Sequence, residues 1–192
     1  MTIADDEPGD RDDLALDADR GEAREPDELP RVREVSSAPV ASLRRTIGME
    51  ELPSFFDMAY PAIVGSLTRQ GVPPAGPALG IYFGTPGETI DVAAAFPIAA
   101  AILPDGEVHE ILLPAGRVAE VVHHGSYGTL GQTYQRLEDW MRAEGLVPGE
   151  VTWETYETMP TPEADPRDMR TRISWLLADD TDEGRAGGDD RA

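Results

Sequence analysis

The sequence predicts an α+β domain made of a duplicated strand–helix–strand–strand unit, its two helices lying on one face of a joint antiparallel sheet. Three observations carry this. Residues 49–70 and 126–144 have apolar side chains at three- and four-residue steps. Short runs rich in β-branched and aromatic residues, bounded by Gly and Pro, surround both stretches. A gap-free offset of 74 residues lays Tyr60 on Tyr134, Ile63 on Leu137, Leu67 on Met141, Gly71 on Gly145, Gly80 on Glu154 and Tyr82 on Tyr156. One unit alone is too small to cover its own helix. Two packed units bury both helices and leave a cleft where they meet.

The elements follow in order. Residues 35–46 open the fold as a strand. A helix runs from Met49 to Gln70, with Pro53 suited to its first turn and Gly71 to a left-handed stop. Pro61 lies inside it and removes one backbone hydrogen bond. Leu79 to Phe83 is a short strand, and Ile90 to Leu103 a longer one interrupted at Pro97. Residues 108–113 and 115–123 are strands around Pro114. Ser126 caps a second helix that ends at Gly145. Val151 to Tyr156 and Arg170 to Leu177 are the last strands, joined by a loop rich in Pro and acids.

The 192 residues carry 37 acids against 16 arginines, with no lysine and no cysteine. Residues 1–34 hold thirteen of the acids and almost no aromatic or β-branched side chains, and residues 178–192 read the same way. Both are expected to be disordered acidic tails flanking a domain at 35–177. Strong acidity argues against direct DNA binding, which needs clustered cations. Absence of cysteine excludes disulfides, thiolate chemistry and Cys-type zinc sites. No apolar run approaches a membrane span, and no secretory signal precedes the fold, so a cytoplasmic location is expected. His123 and His124 face opposite ways in a strand and His109 has no partner in view, so no metal is expected. No cofactor motif is present.

The strand Val151–Tyr156 carries the functional signal. Trp153 and Thr155 point one way, and Glu154 and Tyr156 the other, which sets a carboxylate beside a phenol inside an apolar run. The repeat puts Gly80 where the second unit has Glu154, and Ala101 where it has Trp175. One wall of the cleft is therefore expected to carry the carboxylate and large rings, and the opposite wall to be small. Tyr134 and Trp140 sit on the helical stripe and are expected in the core.

Several segments, in order and spacing, resemble the GyrI-like small-molecule-binding domain, also called the AraC-type effector-binding domain. They are Gly76-Pro77-Ala78-Leu79-Gly80-Ile81-Tyr82, Phe96-Pro97-Ile98, Leu113-Pro114-Ala115-Gly116, His124-Gly125-Ser126-Tyr127, Trp153-Glu154-Thr155-Tyr156 and Arg170-Thr171-Arg172-Ile173. The resemblance implies two βαββ repeats with pseudo-twofold symmetry and a central groove. There the glutamate matching Glu154 meets lipophilic cations among aromatics. In this sequence Tyr156, Tyr82, Tyr127, Trp175 and Phe96 are the candidate ligand-binding rings around it. It also implies alternatives: hydrolysis of cyclopropane-type electrophiles with Glu154 and Tyr156 as the working groups, or a protein-interaction role such as gyrase inhibition. A buried carboxylate without a cation is costly, and a guest cation relieves that cost. The expected partner is a small lipophilic or cationic molecule.

Overall fold

The structure, a computed structural model, describes residues 29–158 and 165–178. Residues 1–28, 159–164 and 179–192 lie outside the described residues, and with them most of both expected tails. The first strand, β1 (Arg31–Val35), begins inside the stretch assigned to the N-terminal tail. The 35–46 strand is thus the middle of two strands, β1 and β2 (Ala38–Gly48), broken at Ser36 and Ser37. A 3-10 turn, Met49–Glu51, leads into α1 (Leu52–Gln70), which Gly71 ends at φ 69°, a left-handed conformation open to glycine.

Next come β3 (Leu79–Phe83) and β4 (Thr89–Pro97). β4 stops at Pro97 rather than running to Leu103, because proline cannot donate to a ladder. β5 (His109–Leu113) and β6 (Gly116–His124) follow. A second 3-10 turn, Tyr127–Thr129, precedes α2 (Leu130–Ala143). Ser126 is the residue before that turn, but its side chain makes no capping bond. β7 (Pro148–Tyr156) and β8 (Arg170–Leu177) complete the chain.

The eight strands of the described residues form one antiparallel sheet in the order β1-β6-β8-β7-β3-β4-β2-β5. Exchanging the halves, β1 for β5 through β4 for β8, reverses this order onto itself. The sheet therefore has a twofold pseudosymmetry centred between β3 and β7. Each βαββ repeat keeps β2-α1-β3-β4 or β6-α2-β7-β8 together, and sends its leading strand to the far edge of the other half.

The axis can be placed to the residue. Gly80 and Glu154, equivalent under the 74-residue offset, are each other's cross-strand partners. Glu154 thus stands at the centre of the sheet, on the helix face. There α1 buries Phe55, Ala59, Ile63 and Leu67 against Leu43, Val92 and Ala94, and α2 buries Leu137 and Met141 against Ala119, Val121 and Ile173. The opposite face holds its own apolar cluster of Val40, Leu79, Ile81, Ala93, Ala95, Val118 and Trp153. Ile63 is fully buried, so Ile63→Val, which deletes one methylene, is expected to cost about 0.5–1.5 kcal/mol in urea denaturation.

Candidate binding groove

Between the N-terminal halves of the two helices and the centre of the sheet lies a cleft of about 1100 Å³. At its floor is Glu154, whose side of β7 it shares with Thr152 and Tyr156, two residues to either side. Only 5% of Glu154 is exposed. The Tyr134 hydroxyl donates to its Oε1 at 2.8 Å, and those of Tyr156 and Tyr82 donate to Oε2 at 2.8 and 3.2 Å. Among the described residues no guanidinium pairs with it.

The repeat explains this cage. Tyr82 and Tyr156 are equivalent under the offset, and both reach the carboxylate from flanking positions on β3 and β7. Tyr60 and Tyr134 are also equivalent, on the two helices. Tyr134 turns its hydroxyl to Glu154, whereas Tyr60 donates to the Leu79 carbonyl at 3.2 Å. The ring pairs keep the symmetry. Tyr60 meets Phe96 at 5.6 Å and 70°, and Tyr134 meets Trp175 at 6.1 Å and 71°.

Trp175 is therefore the counterpart of Phe96, not of Ala101. The β7–β8 connection is longer than the β3–β4 turn, so the gap-free offset breaks down beyond Tyr156. Gly80 does not form an opposite small wall either, since it lies directly beside Glu154. A Cβ there would stand 2.8 Å from the Tyr156 hydroxyl, 3.2 Å from Phe56 Cζ and 3.3 Å from the Tyr82 hydroxyl. The space that glycine leaves is filled by the hydroxyls that hold the carboxylate.

All six ring and carboxylate positions named from the sequence, Glu154, Tyr156, Tyr82, Tyr127, Trp175 and Phe96, line the cleft. Tyr127 is 42% exposed at its mouth, its ring edge-on to Tyr156 at 5.7 Å. Met49, also 42% exposed, occupies the matching 3-10 turn of the first half. Tyr134 packs against the α2 core, as expected, and its hydroxyl also joins the cage. Tyr60 and Phe56 were not singled out as groove residues, yet both line it and stack at 5.4 Å and 7°. Their signal was present in the offset: Tyr60 is the repeat-mate of Tyr134, and both face the same axis.

The electrostatics follow from burial. Desolvation pushes the Glu154 carboxyl above the ordinary glutamate range, although the hydroxyls of Tyr156, Tyr134 and Tyr82 pull it back part of the way. Burial, followed by the Glu154 charge, raises the hydroxyls of Tyr82, Tyr134 and Tyr156 well above ordinary phenols, so they remain donors. Tyr134→Phe removes the bond to Oε1 and is expected to move the Glu154 titration further upward, read by NMR of labelled glutamate carboxyls.

A second buried glutamate shows the opposite solution. Glu120 is 3% exposed and is paired with Arg31, Arg33 and Arg172 at 2.8, 3.3 and 2.9 Å. Burial pushes its carboxyl up, but hydrogen bonds from Arg31 and Arg172 and the charges of Arg172 and Arg33 bring it below the usual range. Glu120 has its counterions within the chain; among the described residues Glu154 is met by hydroxyls.

The histidines do not enter the groove. His123 and His124 are both buried, and His123 is held between the Thr133 hydroxyl at 2.8 Å and the Ser126 carbonyl at 3.1 Å. The carbonyl can only accept, so Nε2 carries a proton. Among the described residues no cluster of His, Cys, Asp or Glu could hold a metal ion, and no helix is long and apolar enough to cross a membrane.

The family model of the GyrI-like small molecule binding domain matches residues 29–175, and the chain belongs to this family. Among solved structures, the EcmrR C-terminal domain is similar with a TM-score of 0.68 at 18% identity, over 78% of this chain and 97% of that one. The EcmrR chain in its DNA complex gives a TM-score of 0.67 at 19% identity, with 78% of this chain covering 57% of that one. The structure of SAV2435 bound to tetraphenylphosphonium gives 0.58 at 11% identity, over 79% and 94% of the two chains. A hydrolase encoded by lin2189 from Listeria innocua gives 0.54 at 13%, over 78% and 91%. A comparison with curated proteins finds no match.

Proposed function

We propose that this domain captures lipophilic cations in the cleft over Glu154, to sequester or sense them. The observation that carries the reading is a buried carboxylate with three phenol donors and, among the described residues, no cation of its own. Rings surround the charge on both sides, and a ring face adds about 0.5–2 kcal/mol of cation–π attraction for each well-placed contact. Among the described residues the cleft lining includes Asp57, Glu138, Glu150 and Glu154, and no arginine or histidine. A flat or propeller-shaped apolar cation satisfies both features; an anion satisfies neither. Rings supply area with little directional demand, which favours broad selectivity. That SAV2435, of similar fold, has been solved with tetraphenylphosphonium is in keeping with this reading.

The test compares tetraphenylphosphonium with neutral triphenylphosphine oxide by titration calorimetry. The cation is expected to bind at least about tenfold more tightly, a difference of about 1.4 kcal/mol. Equal affinities would remove the electrostatic part of the proposal.

A second reading rests on the Tyr156 hydroxyl, 2.8 Å from Glu154 Oε2. With a strained electrophile bound, Glu154 would act as general base on water and a neighbouring phenol as proton donor to the leaving carbon. Incubation with a cyclopropane alkylator, followed by mass spectrometry of ring-opened product, separates this reading from capture alone. Product formation no faster than in buffer would leave binding as the whole function.

A further inference from the structure

The cleft is more symmetric in its rings than in its charges. Phe96 and Trp175 are equivalent, and so are Tyr60 and Tyr134, yet beside Glu154 the second half supplies two lining carboxylates, Glu138 and Glu150, against Asp57 of α1 from the first among the described residues. Glu138 lies one turn beyond Tyr134 on α2, and its repeat position in α1 is Val64. Glu150 lies on β7, four residues before Glu154, beside a register shift against β8 between Pro148 and Thr152; it lines the same cleft as Glu154, and its repeat position is Gly76. Trp175 stands between them: its ring meets Tyr134 at 6.1 Å, and its Nε1 donates to the Gly149 carbonyl at 2.9 Å, next to Glu150. All of these residues line the one cleft. Among the described residues neither Glu138 nor Glu150 has an ion-pair or hydrogen-bond partner for its carboxylate. By contrast Asp91, Asp105 and Glu107 are each closed off by an arginine.

The Trp175 end therefore joins a ring whose N–H is already engaged to two carboxylates that are not, in continuity with a cavity centred on a third. Four residues of strand separate Glu150 from Glu154 by about 13 Å. We propose that the groove takes elongated dications, one charge over Glu154 and the second in a subsite formed by Trp175, Glu138 and Glu150. The proposal rests on the reading of Glu154 given above and adds the ligand's charge count and length. A cavity of about 1100 Å³ accommodates two flat head groups and a methylene linker. The inner charge is desolvated and the outer one half in water, so only the outer contribution is strongly screened by salt.

The experiment uses α,ω-bis(quinolinium)alkanes with linkers of four to twelve methylenes, and N-butylquinolinium as the single-charge reference, on the full chain by calorimetry. Affinity is expected to peak where the extended nitrogen–nitrogen separation is about 13 Å, at least about tenfold above the reference at low salt. In the Glu138→Gln/Glu150→Gln double variant that ratio should fall to about one, and 0.5 M salt should shrink it in the wild type. Each Glu→Gln single variant should reduce it in part, which checks that the double variant does not merely unfold. If the reference binds in a Glu154-dependent way but no dication exceeds it, or if the advantage survives the double variant, the outer subsite is wrong while the reading of Glu154 stands. If neither class binds, the reading beneath it falls as well.

Discussion

Glu154→Gln is expected to cut affinity for tetraphenylphosphonium by about 30-fold or more, while leaving the protein at least as stable at neutral pH. Losing one partner of a desolvated charge pair costs about 2–5 kcal/mol of binding. The size of the loss follows from the surroundings: Glu154 is buried, and among the described residues no other charge in its immediate cage attracts a cation. The stability half follows from proton linkage. Folding raises the proton affinity of Glu154, so the native state binds more protons than the unfolded chain over the interval between the two pKa values. Its contribution to stability is therefore full below the unfolded value and declines as pH rises through the folded one. Glutamine has no charge to desolvate and can still exchange hydrogen bonds with the three phenols. Thermal melts of the two proteins from pH 4 to pH 8 should thus diverge with rising pH, the variant being the more stable. Glu120 works in the opposite direction: its depressed carboxyl stabilises the fold above the unfolded value, and that contribution is lost as pH falls. A divergence at low pH only would point to Glu120-type pairing rather than to Glu154.

Gly80→Ala is expected to damage both the fold and the site. The added Cβ would lie 2.8 Å from the Tyr156 hydroxyl and 3.2 Å from Phe56 Cζ. Both rings must shift to admit it, and each is in contact with other rings. Tyr156 is packed edge-on by Phe56, Tyr60 and Tyr127 at 6.4, 6.5 and 5.7 Å, and Phe56 is stacked on Tyr60. Overpacking of this kind costs about 1–3 kcal/mol. Displacing the Tyr156 hydroxyl also breaks its bond to Glu154 Oε2, which leaves the buried carboxylate less well solvated and its proton more tightly held. Chemical denaturation should show the stability loss, and cation affinity at neutral pH should fall with it. A Gly80→Ala protein with wild-type affinity would mean that the cage geometry does not govern binding.

Much of this was legible in the sequence for a physical reason. A duplicated fold repeats its apolar stripes and its helix-ending glycines, so the 74-residue offset carried the two helices, the axis and the tyrosine pairs. Strand alternation placed Glu154 and Tyr156 on one face and Trp153 on the other, as the fold has them. What sequence reasoning missed has equally specific causes. β1 carries Arg31, Arg33 and Glu34, and is polar because it is an edge strand whose arginines serve Glu120. Tyr134 lies on the helical stripe, and periodicity cannot tell a ring that fills the core from one whose hydroxyl reaches through it to a carboxylate. The Trp175–Phe96 equivalence was hidden by the longer β7–β8 connection, which only strand pairing reveals. Gly80 was read as room for a guest because a sequence does not say which side chain enters the space a glycine leaves.

Capture over Glu154 requires direct contact between a guest's positive charge and the carboxylate on the axis. Binding and protonation must then be reciprocally linked. The δ-carbon of Glu154, assigned by the signal lost in Glu154→Gln, can be titrated by NMR in free protein and with saturating tetraphenylphosphonium. The free carboxyl should titrate above an ordinary glutamate and the complexed one distinctly lower, since the cation favours the ionised form. Identical midpoints in the two titrations would mean that the ligand's charge does not meet Glu154.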